Sequence, residues 1–275
     1  MQVRKRFGQH FLHDPNVIRR IVDAVAPVAG ERLVEVGPGR GAMTWGLLAR
    51  AKVMDVIEID RDLAAAMAAD PRAAAGLRIH VENVLDTDFI ALRGEGAPLR
   101  IVGNLPYNIS TPLLFRLLRQ RAAIGDMHFM LQKEVVVRMS AEPGGKDYGR
   151  LTVMLAAYAE VSALFDVGPG AFQPRPKVWS AIVHLRPAVV PRFDFGDDAA
   201  LRTVVTSAFS HRRKTLRNGM KGLLSGMAIE ACGIDPGVRP ETLTPAQFGS
   251  LAARYRSEQA HSDILVACRP PQRPP

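Results

Sequence analysis

Short apolar runs alternate with stretches of helical periodicity along most of the chain, the pattern of an α/β fold built on a largely parallel sheet. Leu33-Val34-Glu35-Val36, Val53 to Ile59, Leu77 to Val81, Leu99 to Gly103 and Met127 to Leu131 read as strands. Val17, Ile18, Ile21, Val22 and Val25 share one face of a helix that Asp14 caps and Pro15 opens. Asp60 to Ala69 is an Ala-rich helix stopped by Pro71, another helix opens at Thr111-Pro112, and Lys133 to Met139 and Leu151 to Ala159 are helical. Val161 to Val167 and Val178 to Leu185 are β-rich runs expected to complete the sheet as a hairpin-like pair, and Glu142 to Gly149 is expected to be a mobile loop. Arg186 to Gly196, with two prolines and little periodicity, reads as a linker, and the pattern beyond it is helical. The expected division is a domain over residues 1–188 and a small helical domain over 189–275, with a Pro-rich disordered tail after Arg269.

Charge changes this picture. The 275 residues carry a formal net charge of +9, which favours a polyanionic partner such as nucleic acid. No acid interrupts Leu201 to Lys221, where Arg202, Arg212, Arg213, Lys214, Arg217 and Lys221 stand on a helical background, a surface suited to a phosphate backbone. The two cysteines, Cys232 and Cys268, lack metal-like spacing and fit a reducing cytosol. No apolar run reaches membrane-spanning length, and the basic N-terminus has no apolar core behind it, so a cytoplasmic protein without a secretory signal is expected.

The candidate chemistry gathers at the ends of the strands. Gly37-Pro38-Gly39-Arg40-Gly41 is a strand-to-helix turn with G-x-G-x-G spacing, one residue tighter than the dinucleotide fingerprint. That favours S-adenosylmethionine, which has no pyrophosphate to cradle. Glu58 follows Gly37 by twenty-one positions, where a ribose-binding acid is expected. Asn104-Leu105-Pro106-Tyr107 suits attack by an aromatic amine. The Asn side-chain oxygen and a main-chain carbonyl held by the rigid Pro can accept both N–H bonds of adenine's exocyclic nitrogen, leaving its lone pair free for an electrophile. Tyr107 offers a stacking face, and Phe172, in the stiff basic loop Gly170 to Lys177, is either a second wall of the base slot or a loop anchor packed on the core. His10 and His13 lack a third ligand for a metal.

Several stretches together resemble the rRNA adenine dimethyltransferase family in its bacterial KsgA form. They are Phe7-Gly8-Gln9-His10-Phe11-Leu12, Val34 to Gly41, Asn104-Leu105-Pro106-Tyr107-Asn108-Ile109-Ser110, and Phe172-Gln173-Pro174-Arg175-Pro176-Lys177-Val178. Lys146 with Tyr148 to Leu151, and Arg212-Arg213-Lys214-Thr215-Leu216, are also similar to that family. The resemblance implies a Rossmann-like class I methyltransferase sheet of seven strands with a small helical C-terminal domain. It implies transfer of methyl groups from S-adenosylmethionine, without a metal, to two adjacent adenosines near the 3′ end of small-subunit rRNA. The expected partner is an incompletely assembled small subunit, met by a monomer. By the same resemblance, Gln9, His10, Leu12, Glu35, Gly37, Gly39, Glu58, Asn83 and Asn104 line the cofactor site. Asn104, Leu105, Tyr107 and Phe172 handle the target base, and Arg212, Arg213, Lys214 and Arg217 bind RNA. Two positions depart from the family pattern: Asn83 stands where an Asp is usual, and Trp45-Gly46 where Glu-Pro is usual.

Three other readings share some of these features. A large-subunit rRNA methylase of the antibiotic-resistance type has the same cofactor fold, but usually an Asn where His10 stands. A non-catalytic nucleic-acid-binding relative would not need the intact Asn104-to-Tyr107 motif. A nicotinamide oxidoreductase fits poorly with the short glycine spacing.

Overall fold

The computed structural model describes residues 10–210 and 214–267. The chain parts into two compact units, Met1–Ser140 with Ala159–Val189, and Ala141–Tyr158 with Val190–Pro275. The segment 141–158, placed in the first domain on sequence, thus clusters with the second. The first unit carries strands β1 (Phe11–Leu12), β2 (Leu33–Val36), β3 (Met54–Ile57), β4 (Leu77–His80), β5 (Leu99–Asn104), β6 (Ile124–Gln132), β7 (Ala159–Val167), β8 (Phe172–Gln173) and β9 (Ser180–Pro187).

Seven of them form one sheet in the order β4-β3-β2-β5-β6-β9-β7, and β1 pairs with β8 in a separate ladder. The strands from β4 to β6 are parallel, while β9 is antiparallel to both β6 and β7. The chain winds outward from β2 to β4 and then returns to the other side of β2 as β5. A topological switch point therefore falls between β2 and β5, the place where open α/β sheets bind ligands. All four residues of β2 and of β3 are buried, as expected of strands covered on both faces.

Helix Pro15–Val25 begins where the sequence marks it. The Asp14 carboxylate accepts from the backbone N–H of Asn16 and Val17, and Ile21, Val22 and Val25 are buried. Helix Thr44–Ala51 packs beside it, and Gly46 permits the close fit, since a Cβ there would meet Val22 Cγ2 at 3.1 Å. Among the described residues no helix is long and apolar enough to cross a membrane.

The second unit is helical, with Arg150–Ala156, Asp198–Phe209 and Pro245–Ala267 as its main elements. Leu201, Val204, Val205, Leu216, Met220, Phe248 and Leu251 make its core. Two stretches expected to be loose are tied down here. In the 142–149 loop, Tyr148 is 1% exposed and the Gly144 N–H donates to the Glu241 carbonyl at 2.7 Å. In the linker, the Arg192 N–H bonds the Ala157 carbonyl and Phe195 packs edge-on against Tyr158.

Candidate functional site

A cavity opens where β2, β3, β4 and β5 end. Val36 to Arg40 line it after β2, Glu58 and Ile59 after β3, Glu82 to Val84 after β4, and Asn104 to Ile109 after β5. His10, Phe11 and Leu12, from a segment far from these in sequence, complete the wall. The cavity thus brings together His10, Leu12, Glu35, Gly37, Gly39, Glu58, Asn83, Asn104, Leu105 and Tyr107. Gln9 lies outside the described residues, as do Arg212 and Arg213.

The glycine turn is shaped by two constraints. Gly37 and Gly39 have φ of +63° and +57°, a region that side chains rarely adopt. No heavy atom lies within 4 Å of where a Gly37 Cβ would stand, whereas a Cβ on Gly39 would press on the Phe11 ring at 3.1 Å. Phe11 in turn lies under the Arg40 guanidinium, 4.5 Å from the ring centroid. Trp45 fills the space behind the turn: its Nε1 would be 2.7 Å from a Cβ on Gly41, and Arg72 stacks over its ring at 4.2 Å. Trp45-Gly46 therefore packs well, through an indole against the turn and a bare Cα against Val22.

Two carboxylates anchor this end of the sheet. Glu58 follows β3 and accepts the Gly39 N–H at 3.1 Å on one oxygen and the Asp60 N–H at 2.9 Å on the other. Burial pushes its pKa up, against the pull of those backbone bonds. Glu35, inside β2, is more extreme. Burial raises its pKa to about 7, the Thr44 hydroxyl bond at 2.6 Å opposes the rise, and the charge of Glu58 adds to it. Its Oε1 is buried and makes no hydrogen bond among the described residues. A buried acceptor without a donor is costly, and it marks a place where a ligand N–H is wanted.

These features fit S-adenosylmethionine. The open space over Gly37 admits a ligand close to the backbone, and the unpaired Glu35 oxygen matches a cationic amine. Glu58 retains lone pairs for ribose hydroxyls. Asn83 is held in a local turn, its Oδ1 accepting the Leu85 N–H at 3.1 Å and its Nδ2 donating to Asp86 at 2.9 Å. An amide oxygen has a second lone pair, so acceptance from an adenine amino group remains open to it.

At the end of β5 the Asn104 Nδ2 donates to the His10 carbonyl at 3.0 Å. That bond fixes the amide and leaves Oδ1 able to accept a further hydrogen bond. The Tyr107 hydroxyl shares a hydrogen bond with Ser180 Oγ at 2.9 Å, and its ring centroid is 5.9 Å from that of His10. His10 is itself tied through Nδ1 to the Pro174 carbonyl at 2.8 Å. Ser180 was not singled out on sequence. It stands 73 positions from Tyr107, and only the sheet register brings them together.

Phe172 stands apart from the cavity. It pairs with Leu12 in the β1–β8 ladder, is 1% exposed, packs in the core cluster with Leu12, Val167 and Ile182, and is not part of the cavity wall. Of the two roles open to it on sequence, its position is that of the anchor. In the second unit, Lys214 and Arg217 are exposed, and Arg217 faces Glu230 across 3.9 Å of accessible surface.

Away from the cavity, Asp126, His128 and His184 bring their polar atoms within 4.8 Å of one another, a spacing a metal ion could use. Arg100 already donates to both Asp126 oxygens, at 2.9 and 3.1 Å, so the carboxylate charge is matched within the protein.

The model of the ribosomal RNA adenine dimethylase family matches residues 1–257. Among curated proteins, the ribosomal RNA small subunit methyltransferase A of Pseudomonas putida is 52% identical over 94% of this chain and 97% of its own. The protein of the same name from Aromatoleum aromaticum is 54% identical over 91% of this chain and 93% of its own. Among solved structures, a dimethyladenosine transferase from Plasmodium falciparum superposes with a TM-score of 0.76 at 23% identity, over 91% of this chain and 98% of that one. The 23S rRNA methyltransferase ErmE reaches 0.69 at 25% identity, over 90% and 99%.

Proposed function

The chain belongs to the ribosomal RNA adenine dimethylase family, and from that premise we propose how its residues carry out the transfer. The protein is an S-adenosylmethionine-dependent adenine dimethyltransferase acting on small-subunit ribosomal RNA. The bound cofactor supplies an electrophilic methyl group on a sulfonium.

The residues at the end of β5 prepare the nucleophile. Asn104 Oδ1 and the Leu105 carbonyl accept the two N–H bonds of the adenine amine, which turns its lone pair outward. This is positioning and electrostatic stabilisation, and no general base is needed to start the attack. Tyr107, held by Ser180, gives the extruded base a face to stack on. Glu35 pairs with the cofactor's ammonium group and Glu58 with its ribose. In the second unit the exposed Lys214 and Arg217, with Arg212 and Arg213, contact RNA phosphates and set position without reading sequence.

The targets are two adjacent adenosines near the 3′ end, reached in an incompletely assembled small subunit by a monomer in the cytoplasm. The observation that supports this reading most is the Asn104 amide, tied by His10 in the wall of the cavity at the ends of the strands. A large-subunit substrate has less support, because the relatives above 50% identity carry the small-subunit name while ErmE is at 25%.

The test is to incubate the purified protein and S-adenosylmethionine with unmethylated small subunits and with large subunits. Modified sites are then mapped by mass spectrometry of RNA fragments. Dimethyladenosine at two neighbouring small-subunit positions is expected. Modification confined to large-subunit RNA would overturn the substrate, and none in either would overturn the catalytic reading.

A further inference from the structure

The carboxyl edge of the sheet continues past the cavity. Asn104 pairs with Met130 of β6, Met130 pairs with Ile182 of β9, and Ser180 opens β9 opposite Gln132. Trp179 immediately precedes Ser180, whose hydroxyl holds Tyr107. With strands roughly 4.8 Å apart and about 3.3 Å per residue, Trp179 stands roughly 14 Å from Asn104, on the same edge of the sheet.

Trp179 is unusual for so large an apolar side chain. It is 54% exposed, and Val178 beside it is 43% exposed. Its ring rests on the bare Cα of Gly168, where a Cβ would lie 3.6 Å from Cη2, and its carbonyl accepts the Lys133 N–H at 2.9 Å. The backbone is therefore pinned and one part of the indole is supported, while much of it stays open to solvent. Val178 and Trp179 are adjacent, so the exposed apolar surface here is a pair of side chains and not a single scattered one.

The surroundings indicate the chemistry of that occupant. No acid occurs from Val167 to Phe193, a span that includes Arg175 and Lys177, both exposed in the same loop as Trp179. Lys133 Nζ lies 5.9 Å from the Trp179 centroid and is paired with Asp166 at 2.5 Å, and the exposed Glu134 follows Lys133 in sequence. Cations flanking an open aromatic face form the arrangement that binds single-stranded nucleic acid, phosphates on the cations and a base on the ring.

We propose that Trp179, with Arg175 and Lys177, is an RNA subsite that stacks an unpaired base flanking the target adenosine. It rests on the ribosomal RNA substrate argued above and adds a second aromatic platform outside the catalytic cavity. Two platforms on one edge would hold the extruded base and one unpaired neighbour, which favours a target in a single-stranded loop. Phe172 is buried, and Trp179 is the exposed aromatic side chain of this loop.

The experiment compares the wild type with Trp179→Ala and Trp179→Phe on unmethylated small subunits. Trp179→Ala is expected to raise KM for the subunits by roughly tenfold to hundredfold, the range set by loss of one base–aromatic stack. Its kcat, its S-adenosylmethionine affinity by calorimetry and its melting temperature should stay near wild type. Trp179→Phe should recover most of the loss. Wild-type KM in Trp179→Ala, or equal loss in both variants, would overturn the subsite. Failure of the wild type to modify small subunits would instead overturn the substrate reading, and the subsite with it. A second measurement is direct, because Trp45 and Trp179 are the two tryptophans of the chain. In a Trp45→Phe background, a short single-stranded RNA with two adjacent adenosines should quench Trp179 emission as it binds. RNA binding, followed by anisotropy of a labelled strand, without any change in emission would also overturn the proposal.

Discussion

The two ends of the parallel sheet both bury charged groups and treat them in opposite ways. At the amino ends of β5 and β6, Asp126 is held by the Arg100 guanidinium, which also reaches Glu31 at 2.7 Å and the Val25 carbonyl at 2.7 Å. His128 and His184 stack at 4.3 Å beside that carboxylate. Each charge there has a partner. At the carboxyl ends, Glu35 has one hydroxyl donor on Oε2 and an unpaired Oε1, and Glu58 has only backbone donors. The closed network holds the sheet together, whereas the incomplete one leaves an acceptor open to a ligand. Within a single fold, an unsatisfied buried carboxylate is therefore a sharper mark of a binding site than a buried carboxylate as such.

Asn104→Ala breaks the comparison most strongly from the open side. It removes the acceptor for the reacting amine and should lower kcat by about a hundredfold or more, by analogy with loss of one preorganised polar contact. Its urea midpoint should change little. Wild-type turnover with normal cofactor binding would place the active site elsewhere.

Arg100→Ala breaks it from the closed side. Asp126 would keep its partly buried position and lose its cation, at a cost of about 2–3 kcal/mol in unfolding free energy. Chemical denaturation measures this, and cofactor affinity per folded molecule should stay near wild type. A stable Arg100→Ala protein with impaired cofactor binding would contradict the assignment of this end to structure.

Titration sharpens the contrast, because the two ends carry opposite signs in overlapping windows. Glu35 has its folded pKa raised to about 7, so its contribution is fully present below the unfolded value near 4.5 and is lost as pH rises toward 7. His128 has its folded pKa lowered to about 4 by burial, so its contribution is present above 6.5 and is lost as pH falls toward 4. Glu35→Gln should therefore make stability climb more steeply between about pH 5 and 7, and His128→Gln should make it climb less, as read by denaturant midpoints across that range. The same Glu35→Gln change should also weaken S-adenosylmethionine binding and flatten the rise in affinity as Glu35 ionises. An unchanged pH profile of affinity would remove Glu35 from the cofactor site.

The smallest effect lies in the second unit. Lys214→Ala with Arg217→Ala should reduce the salt dependence of RNA binding by roughly 0.7–0.9 in log–log slope per lost phosphate contact. An unchanged slope would make these side chains ordinary solvated surface.

Local patterning determined most of the sheet and much of the site. Asp14-Pro15 set a helix start, Leu33 to Val36 a buried strand, and Gly37 to Gly41 a turn whose positive φ angles only glycine adopts readily. Those features depend on neighbours in sequence, so a single chain displays them. Glu58 was legible from its spacing after Gly37 and Asn104 from the chemistry of its motif, and the family resemblance added Asn83. Long-range contacts were decided only by the tertiary structure. Phe172 has the residue type of a base platform, yet its register against Leu12 buries it. Ser180 and Tyr107 meet because β6 and β9 align their ends, and the 142–149 loop is fastened by Glu241. Glu35 reads as one polar residue in an apolar strand. Its raised pKa and unpaired oxygen follow from full burial beside Glu58, and burial is a property of the packed molecule, set by elements that approach from distant parts of the chain.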